Sequence, residues 1–319
     1  MHTLKPIPEC ENIEFKEKFI QRYTKLTDWE TFKKYCCSFL RKSIRVNTLK
    51  ISIEDLKNRL EKSFVLEQIP WCHDGFWIKH KEDRLDVGNT AEHLLGFYYV
   101  QESASMIPPI VLDPQPGEII LDMCAAPGSK TSQMAQQMNN QGIIVANDVK
   151  GMRLAALGIN LQRMGILNTV VTLMRGEGMK DVLFDKILLD APCSGTGTIR
   201  KSIKTIMMWN PEMVKRLAST QKKLITTAFG LLKDGGRLVY STCSVEPQED
   251  EGVIDYLLRT QPNAQVEEIN LPINHKPAIS EFEGETYNSQ VKKCLRLWPQ
   301  DNDTEGFFVA SIKKVAKNE

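Results

Sequence analysis

Two short stretches of this chain could set a nucleophile beside a carboxylate. One reads Asp190-Ala191-Pro192-Cys193-Ser194 and the other Ser241-Thr242-Cys243-Ser244. Each follows an apolar run, Ile187-Leu188-Leu189 in the first case and Leu238-Val239-Tyr240 in the second. The pattern predicts that both thiols stand where a strand of an α/β sheet ends, the edge at which open α/β sheets bind ligands. Two thiols and a carboxylate at one such edge suit covalent chemistry on an electron-poor ring, provided the surroundings favour a thiolate.

A third stretch, Leu121-Asp122-Met123-Cys124-Ala125-Ala126-Pro127-Gly128-Ser129-Lys130-Thr131, leaves a strand and enters a helix. Small residues let a ligand approach the backbone, and a helix start offers free N–H groups. The GxGxxG of a dinucleotide site is absent. The GxxxxGK[ST] of a nucleoside triphosphate site is matched only at Ser129-Lys130-Thr131, with Cys124 and Ser129 where glycines are required. The next strand ends at Ala146-Asn147-Asp148, and an acid roughly twenty residues beyond the turn can hold ribose hydroxyls. With no pyrophosphate fingerprint, S-adenosylmethionine fits these residues better than NAD.

The elements that must position these groups fall into two sets. Residues 13–40 have helical spacing. Residues 44–49 and 76–78 suggest strands, and a helix follows a Ser52 cap. This is a small α+β unit. After Pro108-Pro109, strands at 118–123, 142–146, 169–173, 186–189 and 237–241 alternate with helices at 131–138, 153–164, 211–232 and 249–258. Such alternation implies a parallel sheet. Residues 272–290 read as a surface loop, and 307–312 as an antiparallel strand at the edge of the sheet. Trp209, Tyr240 and Phe97 lie near strands, where aromatics are more often core; otherwise they are candidate stacking groups for an unpaired base.

The 319 residues carry 42% hydrophobic and 25% charged side chains and a net charge of +1, so overall charge does not announce a polyanion partner. Local basic runs, Lys33-Lys34, Arg41-Lys42 with Arg45, Arg200-Lys201 with Lys204, Lys215-Arg216, Lys222-Lys223, and Lys292-Lys293 with Arg296, each read as a solvated face, and together they make a basic stripe only if the fold gathers them at one cleft. The eight cysteines form no CxxC and no histidine pairing at ligand spacing, so no metal site is expected. Cys36-Cys37 reads as packed helix. The absence of a membrane-length apolar run and of a signal-like start predicts a reduced, cytoplasmic protein without membrane contact.

The segments DMCAAPGSKT, ILLDAPCSGTG and VYSTCSVEPQEDE together resemble the Nop2/Sun (RsmB/NOP) family of RNA cytosine-5 methyltransferases, of archaeal tRNA/rRNA type. Ser43-Ile44-Arg45-Val46-Asn47-Thr48, Tyr99-Val100-Gln101-Glu102-Ser103 and Gly306-Phe307-Phe308-Val309-Ala310 extend the likeness over residues 43–313. The resemblance implies an α/β fold: a class I, Rossmann-like S-adenosylmethionine-dependent methyltransferase sheet at 107–319, preceded by a helical and small α+β, RRM-like RNA-binding module at 1–106.

It implies that Cys124, Ala125, Ala126, Pro127, Gly128, Ser129, Lys130 and Arg153 line the cofactor site and that Asp148 binds the ribose. Asp190 would lie between cofactor and base and donate a proton at N3. Cys243 would be the nucleophile, and Cys193 would assist product release. Arg45 and Asn47, with Arg200 and Lys201, would contact RNA. Two departures stand out. Ser129 replaces a usual glycine, and Arg175 occupies the place of an aspartate that meets the adenine, leaving Glu177 as its substitute. The expected partner is tRNA, with rRNA next, because residues 146–165 resemble the rRNA-modifying branch; the expected state is a monomer. Two other readings remain: an RNA-structuring factor with a vestigial site, and a DNA cytosine-5 methyltransferase. The latter would attack with the Pro-Cys thiol and carry a Glu-Asn-Val motif, which this chain lacks.

Overall fold

The computed structural model describes residues 4–84 and 86–316. Four strands, β1 (Ser43–Val46), β2 (Phe64–Gln68), β3 (Gly75–His80) and β4 (Tyr98–Val100), form an antiparallel sheet in the order β2-β3-β1-β4. The helix Ile53–Leu60 covers it with Leu56 and Leu60, which cluster with Ile44, Phe76, Ile78 and Tyr98. Ser52 accepts a hydrogen bond from the Asp55 N–H, which is the expected cap.

The second sheet contains β5 (Ile119–Asp122), β6 (Ile143–Asp148), β7 (Thr169–Leu173), β8 (Phe184–Asp190) and β9 (Leu232–Thr242), all parallel. After them come β10 (Ala264–Glu267), a two-stranded hairpin of β11 (Glu281–Phe282) and β12 (Glu285–Thr286), then β13 (Leu295–Leu297) and β14 (Phe307–Lys314). The order is β10-β14-β9-β8-β5-β6-β7, with β13 pairing β14. The expected edge position of β14 is therefore corrected. It lies between β9 and β10, which run antiparallel to it. Its outer neighbour β10, Ala-Gln-Val-Glu, is too short and too polar to have announced itself. The segment read as a loop at 272–290 holds the β11–β12 hairpin.

Helices Ser129–Gln137, Gly151–Met164, Pro211–Gly230 and Glu251–Thr260 fill the crossovers. Pro211 follows an Asn210 cap, whose side chain accepts from the Met213 N–H. The two faces of the sheet carry separate cores. Leu121, Ile187, Leu189 and Phe308 belong to one, and Ile120, Leu188, Val239 and Phe307 to the other.

The first two long helices, Glu17–Leu26 and Trp29–Cys36, do not pack on the small sheet. Their Phe19, Tyr23 and Phe32 cluster with Ile199, Trp209, Val245 and Trp298 of the second half. Cys36 is buried in that cluster, as its apolar setting predicts.

Candidate active site

The chain builds β5, β6 and β7 outward in one direction, then crosses over to lay β8 and β9 on the other side of β5. A crevice opens beyond the carboxyl ends at such a reversal. Asp190, the last residue of β8, stands there half-buried. Its Oδ2 accepts from the Lys130 ammonium at 2.7 Å and its Oδ1 from the Ser241 hydroxyl at 2.7 Å. Three residues later, Cys193 Sγ lies 3.3 Å from Cys243 Sγ. The Lys130 ammonium also lies 5.5 Å from the centre of the Phe307 ring. The three residues expected to do chemistry thus meet. Lys130, expected on the cofactor side, reaches across to join them.

The electrostatics single out Cys193. The hydrogen bond with Cys243, burial, the Cys243 charge and the Glu249 carboxylate all push the Cys193 thiol well above its ordinary range. Burial disfavours the Lys130 ammonium, yet the Asp190 charge and hydrogen bond, then Cys243, hold it above its usual value. Cys243 therefore has a cation in electrostatic reach, and Cys193 has an anion. Glu249 accepts from the Ser194 N–H (2.9 Å), the Ser244 hydroxyl (2.7 Å), the Gln221 amide (3.1 Å) and the Ser194 hydroxyl. Burial raises Glu249 to about 7 even though Ser194 and Ser244 oppose that shift.

The cofactor side is less filled. Gly128 has φ +101°, and a Cβ on it would meet Leu157 Cδ1 at 2.7 Å. Ser129 begins the helix Ser129–Gln137. The left-handed position thus falls on Gly128, and a side chain at 129 is tolerated. The first bond of that helix runs from Ser132 N–H to the Gly128 carbonyl, so the N–H groups before it face outward. Cys124 links the two sides: burial, then the charges of Asp122, Asp190 and Asp148, push its thiol up.

Asp148 ends β6. Its Oδ1 accepts from the Lys150 N–H. Arg153 approaches Oδ2 at 3.0 Å, but off a hydrogen-bonding direction, so this buried oxygen retains no donor. A carboxylate oxygen without a donor suits a ribose hydroxyl. Val149 and Met174, at the ends of β6 and β7, are exposed apolar side chains on either side of this place. Arg175 is 80% exposed and pairs with Glu177 at 3.7 Å, and Glu177 is the more enclosed of the two.

Several expected RNA contacts are corrected. Arg45 is buried and donates to Gln101, Gln136 and Ser132. Asn47 is buried and donates to the carbonyls of Gly96 and Met164. Both stitch the small sheet to the larger domain. Arg200 is buried against the carbonyls of Ser38, Phe39 and Thr304. A fully buried guanidinium whose donors are taken has none left for phosphate. Lys201 is exposed. Arg296, read as part of a basic run, is buried against Asp250 and Glu251. Trp209 and Tyr240 are core residues, bonded to Glu246 and to the Glu249 carbonyl. Phe97 packs within the small module under Arg59. No group of three metal-ligating side chains occurs among the described residues, and none of their helices is long and apolar enough to cross a membrane.

A model of the family "16S rRNA methyltransferase RsmB/F" matches residues 109–313, and one of the "N-terminal domain of 16S rRNA methyltransferase RsmF" matches residues 15–103. The chain belongs to the RsmB/F family. It is 47% identical over 307 residues to a tRNA (cytosine(49)-C(5))-methyltransferase of Pyrococcus abyssi, covering 94% of this chain and 98% of that protein. It is 46% identical over 301 residues to ribosomal RNA small subunit methyltransferase F of Shewanella piezotolerans, covering 91% of this chain but 61% of that longer protein. Among solved structures, a methyltransferase homolog protein from Pyrococcus horikoshii superimposes with a TM-score of 0.86 at 37% identity, over 97% of this chain and 99% of that one. This RsmB/F protein is an S-adenosylmethionine-dependent RNA methyltransferase.

Reading the motifs of this RsmB/F protein by themselves missed Ser241, Glu249 and the contact of Lys130 with Asp190. Ser241 had a signal available, because it faces Asp190 in register on the neighbouring strand. Glu249 had none, since its partners lie up to 55 residues away in sequence.

Proposed function

We propose that this enzyme forms 5-methylcytosine in tRNA through a covalent adduct between Cys243 and carbon 6 of the cytosine. The pairing of two sulfurs 3.3 Å apart beside the Lys130–Asp190 pair carries the reading. Cys243 is assigned the attack because it and the Lys130 ammonium lie in electrostatic reach of each other, whereas the Glu249 carboxylate holds the Cys193 thiol up. A thiolate adding to carbon 6 pushes the carbon 5–carbon 6 electron pair through the ring to N3. Asp190 has both oxygens occupied as acceptors, so Lys130, rather than Asp190, supplies positive charge or a proton at N3, and Asp190 aims it. Addition leaves carbon 5 electron-rich, and bound S-adenosylmethionine supplies an electrophilic methyl on its sulfonium.

After transfer, carbon 5 bears both methyl and proton. Removal of that proton returns the electron pair to the carbon 5–carbon 6 bond and expels Cys243 as thiolate. The carbon-5 proton passes to a water, any proton taken up at N3 returns to Lys130, and Cys193, next to the departing sulfur, directs the release. The backbone of residues 124–130 and the Asp148 carboxylate would hold the cofactor, with Val149 and Met174 against the adenine and Glu177 at its amino group. Lys201 is retained as an RNA contact. A base in a helix cannot reach such a site, so the target is unpaired or rotated outward.

Support for tRNA over rRNA is the near-complete coverage of the Pyrococcus abyssi protein and the partial coverage of the Shewanella one. The test is transfer of labelled methyl from S-adenosylmethionine to unmodified tRNA and to 16S rRNA, followed by bisulfite sequencing. The reading expects new methylcytosine in tRNA. Methylation of rRNA alone would overturn the substrate, and label on any atom but carbon 5 would overturn the chemistry.

A further inference from the structure

Glu249 has no part in the bond-making described above, yet its carboxylate is bonded to both cysteine loops. The residue following Cys193 donates to it twice, through the Ser194 N–H at 2.9 Å and the Ser194 hydroxyl. The residue following Cys243 donates to it through the Ser244 hydroxyl at 2.7 Å. Gln221, on the long helix below, donates to Glu249 at 3.1 Å and to the Pro192 carbonyl at 2.9 Å, which ties the same carboxylate to the residue before Cys193. Ser194 and Ser244 also touch each other at 3.2 Å. Glu249 is itself held: its carbonyl accepts from the Tyr240 hydroxyl at 2.6 Å, and its side chain is wholly buried.

We infer that Glu249 is the positioning residue that gives the two thiols their separate duties, by fixing the spacing of their loops and by holding its carboxylate on the Cys193 loop through two donors of Ser194 against one of Ser244. The inference rests on the covalent reading above. Buried carboxylates whose oxygens receive several donors are rigid anchors, because any movement strands a donor in a low-dielectric site. Both loops end parallel neighbouring strands, and neutral contacts of Ser194 and Thr196 with Ser244 and of the Gly197 N–H with the Cys243 carbonyl also join them; Glu249 adds a charged anchor to these. The charge matters as much as the spacing. The groups that face Cys193 are Cys243, Glu249 and Tyr240. Of these, Glu249 is the carboxylate, so it keeps Cys193 a thiol while Lys130 stands near Cys243. Two equivalent thiolates would compete for carbon 6, and the arrangement prevents that competition.

The test is Glu249→Gln, which keeps the shape but removes the charge and one acceptor. Each protein, free of RNA, is treated with iodoacetamide at pH 8, and modification of the two cysteines is followed by peptide mass spectrometry. Circular dichroism and calorimetric binding of S-adenosylmethionine check the fold. In the wild type Cys243 is modified ahead of Cys193. In the variant the rate at Cys193 relative to Cys243 rises about tenfold, the effect of roughly one pKa unit, and kcat for tRNA falls about 100-fold, the scale of a 1 Å misplacement, with KM for tRNA little changed.

A folded, cofactor-binding variant with the wild-type ratio and wild-type kcat overturns the proposal. A change in the ratio alone overturns the spacing half, and a change in kcat alone overturns the charge half. If Glu249→Gln does not fold, Glu249→Asp decides: it keeps the charge and shortens the reach, so the ratio should stay as in the wild type while kcat falls. Undiminished kcat in that variant overturns the spacing role. The alkylation readout needs no methyl transfer, so it stands apart from any failure of the substrate assignment.

Discussion

The two halves of the crevice are built on opposite plans. At the ends of β8 and β9 the polar groups are already spent on one another: Asp190 on Lys130 and Ser241, Glu249 on Ser194, Ser244 and Gln221. At the ends of β5, β6 and β7 Asp122 is bonded to Thr131 and Asn147 to Thr172 and Met174, but the groups that face the crevice are left open. Asp148 keeps an oxygen without a donor, the helix after Gly128 keeps its first N–H groups, and Val149 and Met174 stand exposed. The difference follows from what each half must do. A nucleophile gains from being fixed before substrate arrives, because positioning lowers the barrier only if its entropy has already been lost. A cofactor that enters and leaves with every turnover needs an open place with unspent bonds.

The strongest way to break this contrast is to delete a sulfur from the finished half. Cys243→Ala should lower methyl transfer by at least about 10⁴-fold, the scale of losing a covalent nucleophile, while calorimetric affinity for S-adenosylmethionine stays at the wild-type value. A variant that loses both would show that the halves are one unit. Cys193→Ala should cost less in forming the adduct but block its release. A protein–RNA species that survives denaturing electrophoresis should accumulate, and steady-state turnover should fall by about 10²–10⁴-fold, the scale of losing a group that assists a proton transfer. Turnover without a trapped species would return the release step to some other group.

How far the sequence disclosed this depends on where each residue's partners lie. Apolar runs ending in Asp190 and Ser241 are local signals, and they placed β8, β9 and the two thiols correctly. The Gly128 turn and the strand ending at Asp148 were legible for the same reason. Arg45, Arg200 and Arg296 were not. Each reads as surface charge, and each is buried against groups 45 to 162 residues away. Charge is written in the sequence, but the carbonyls and carboxylates that consume it are assembled only by the fold. Lys130 failed more gently. Its turn belongs to the cofactor half, but its side chain is long enough to cross to Asp190. β14 was read as an edge because four polar-alternating residues of β10 give too weak a pattern to cover it.

A buried pair of acids next to the cysteine half gives a third comparison, read by pH. Glu102 is satisfied by the N–H groups of Ala104 and Ser105, the Ser103 hydroxyl and the Glu305 N–H. Glu305 faces it with one buried oxygen that has no donor. Burial first, then the Glu102 charge, raises Glu305 from 4.5 to about 8. Between those values the folded chain keeps a proton that the unfolded chain has released. Its contribution to stability is therefore whole below pH 4.5 and is lost as pH rises through about 8. Glu305→Gln removes that slope. The difference in unfolding free energy between variant and wild type should move in favour of the variant by on the order of 3 kcal/mol between pH 5 and pH 9. Urea titrations at the two pH values measure it, and a difference independent of pH would mean that Glu305 is charged throughout.

The smallest effect should come from the open half. Asp148→Ala removes a carboxylate whose unspent oxygen is assigned to the cofactor ribose; the protein itself loses the Lys150 N–H bond to Oδ1 and the approach of the half-exposed Arg153, which is not a hydrogen bond. One charged hydrogen bond is worth about 1.5–3 kcal/mol, so the dissociation constant for S-adenosylmethionine should rise by about 10–100-fold. The relative alkylation rates of Cys193 and Cys243 should not move. That pairing of results makes the variant informative. If the thiol reactivities shift together with cofactor affinity, strain passes through Cys124, whose thiol feels both Asp148 and Asp190, and the two halves are mechanically coupled. If cofactor affinity holds while Glu177→Ala weakens it, the ribose assignment is wrong and the unspent oxygen of Asp148 serves some other donor.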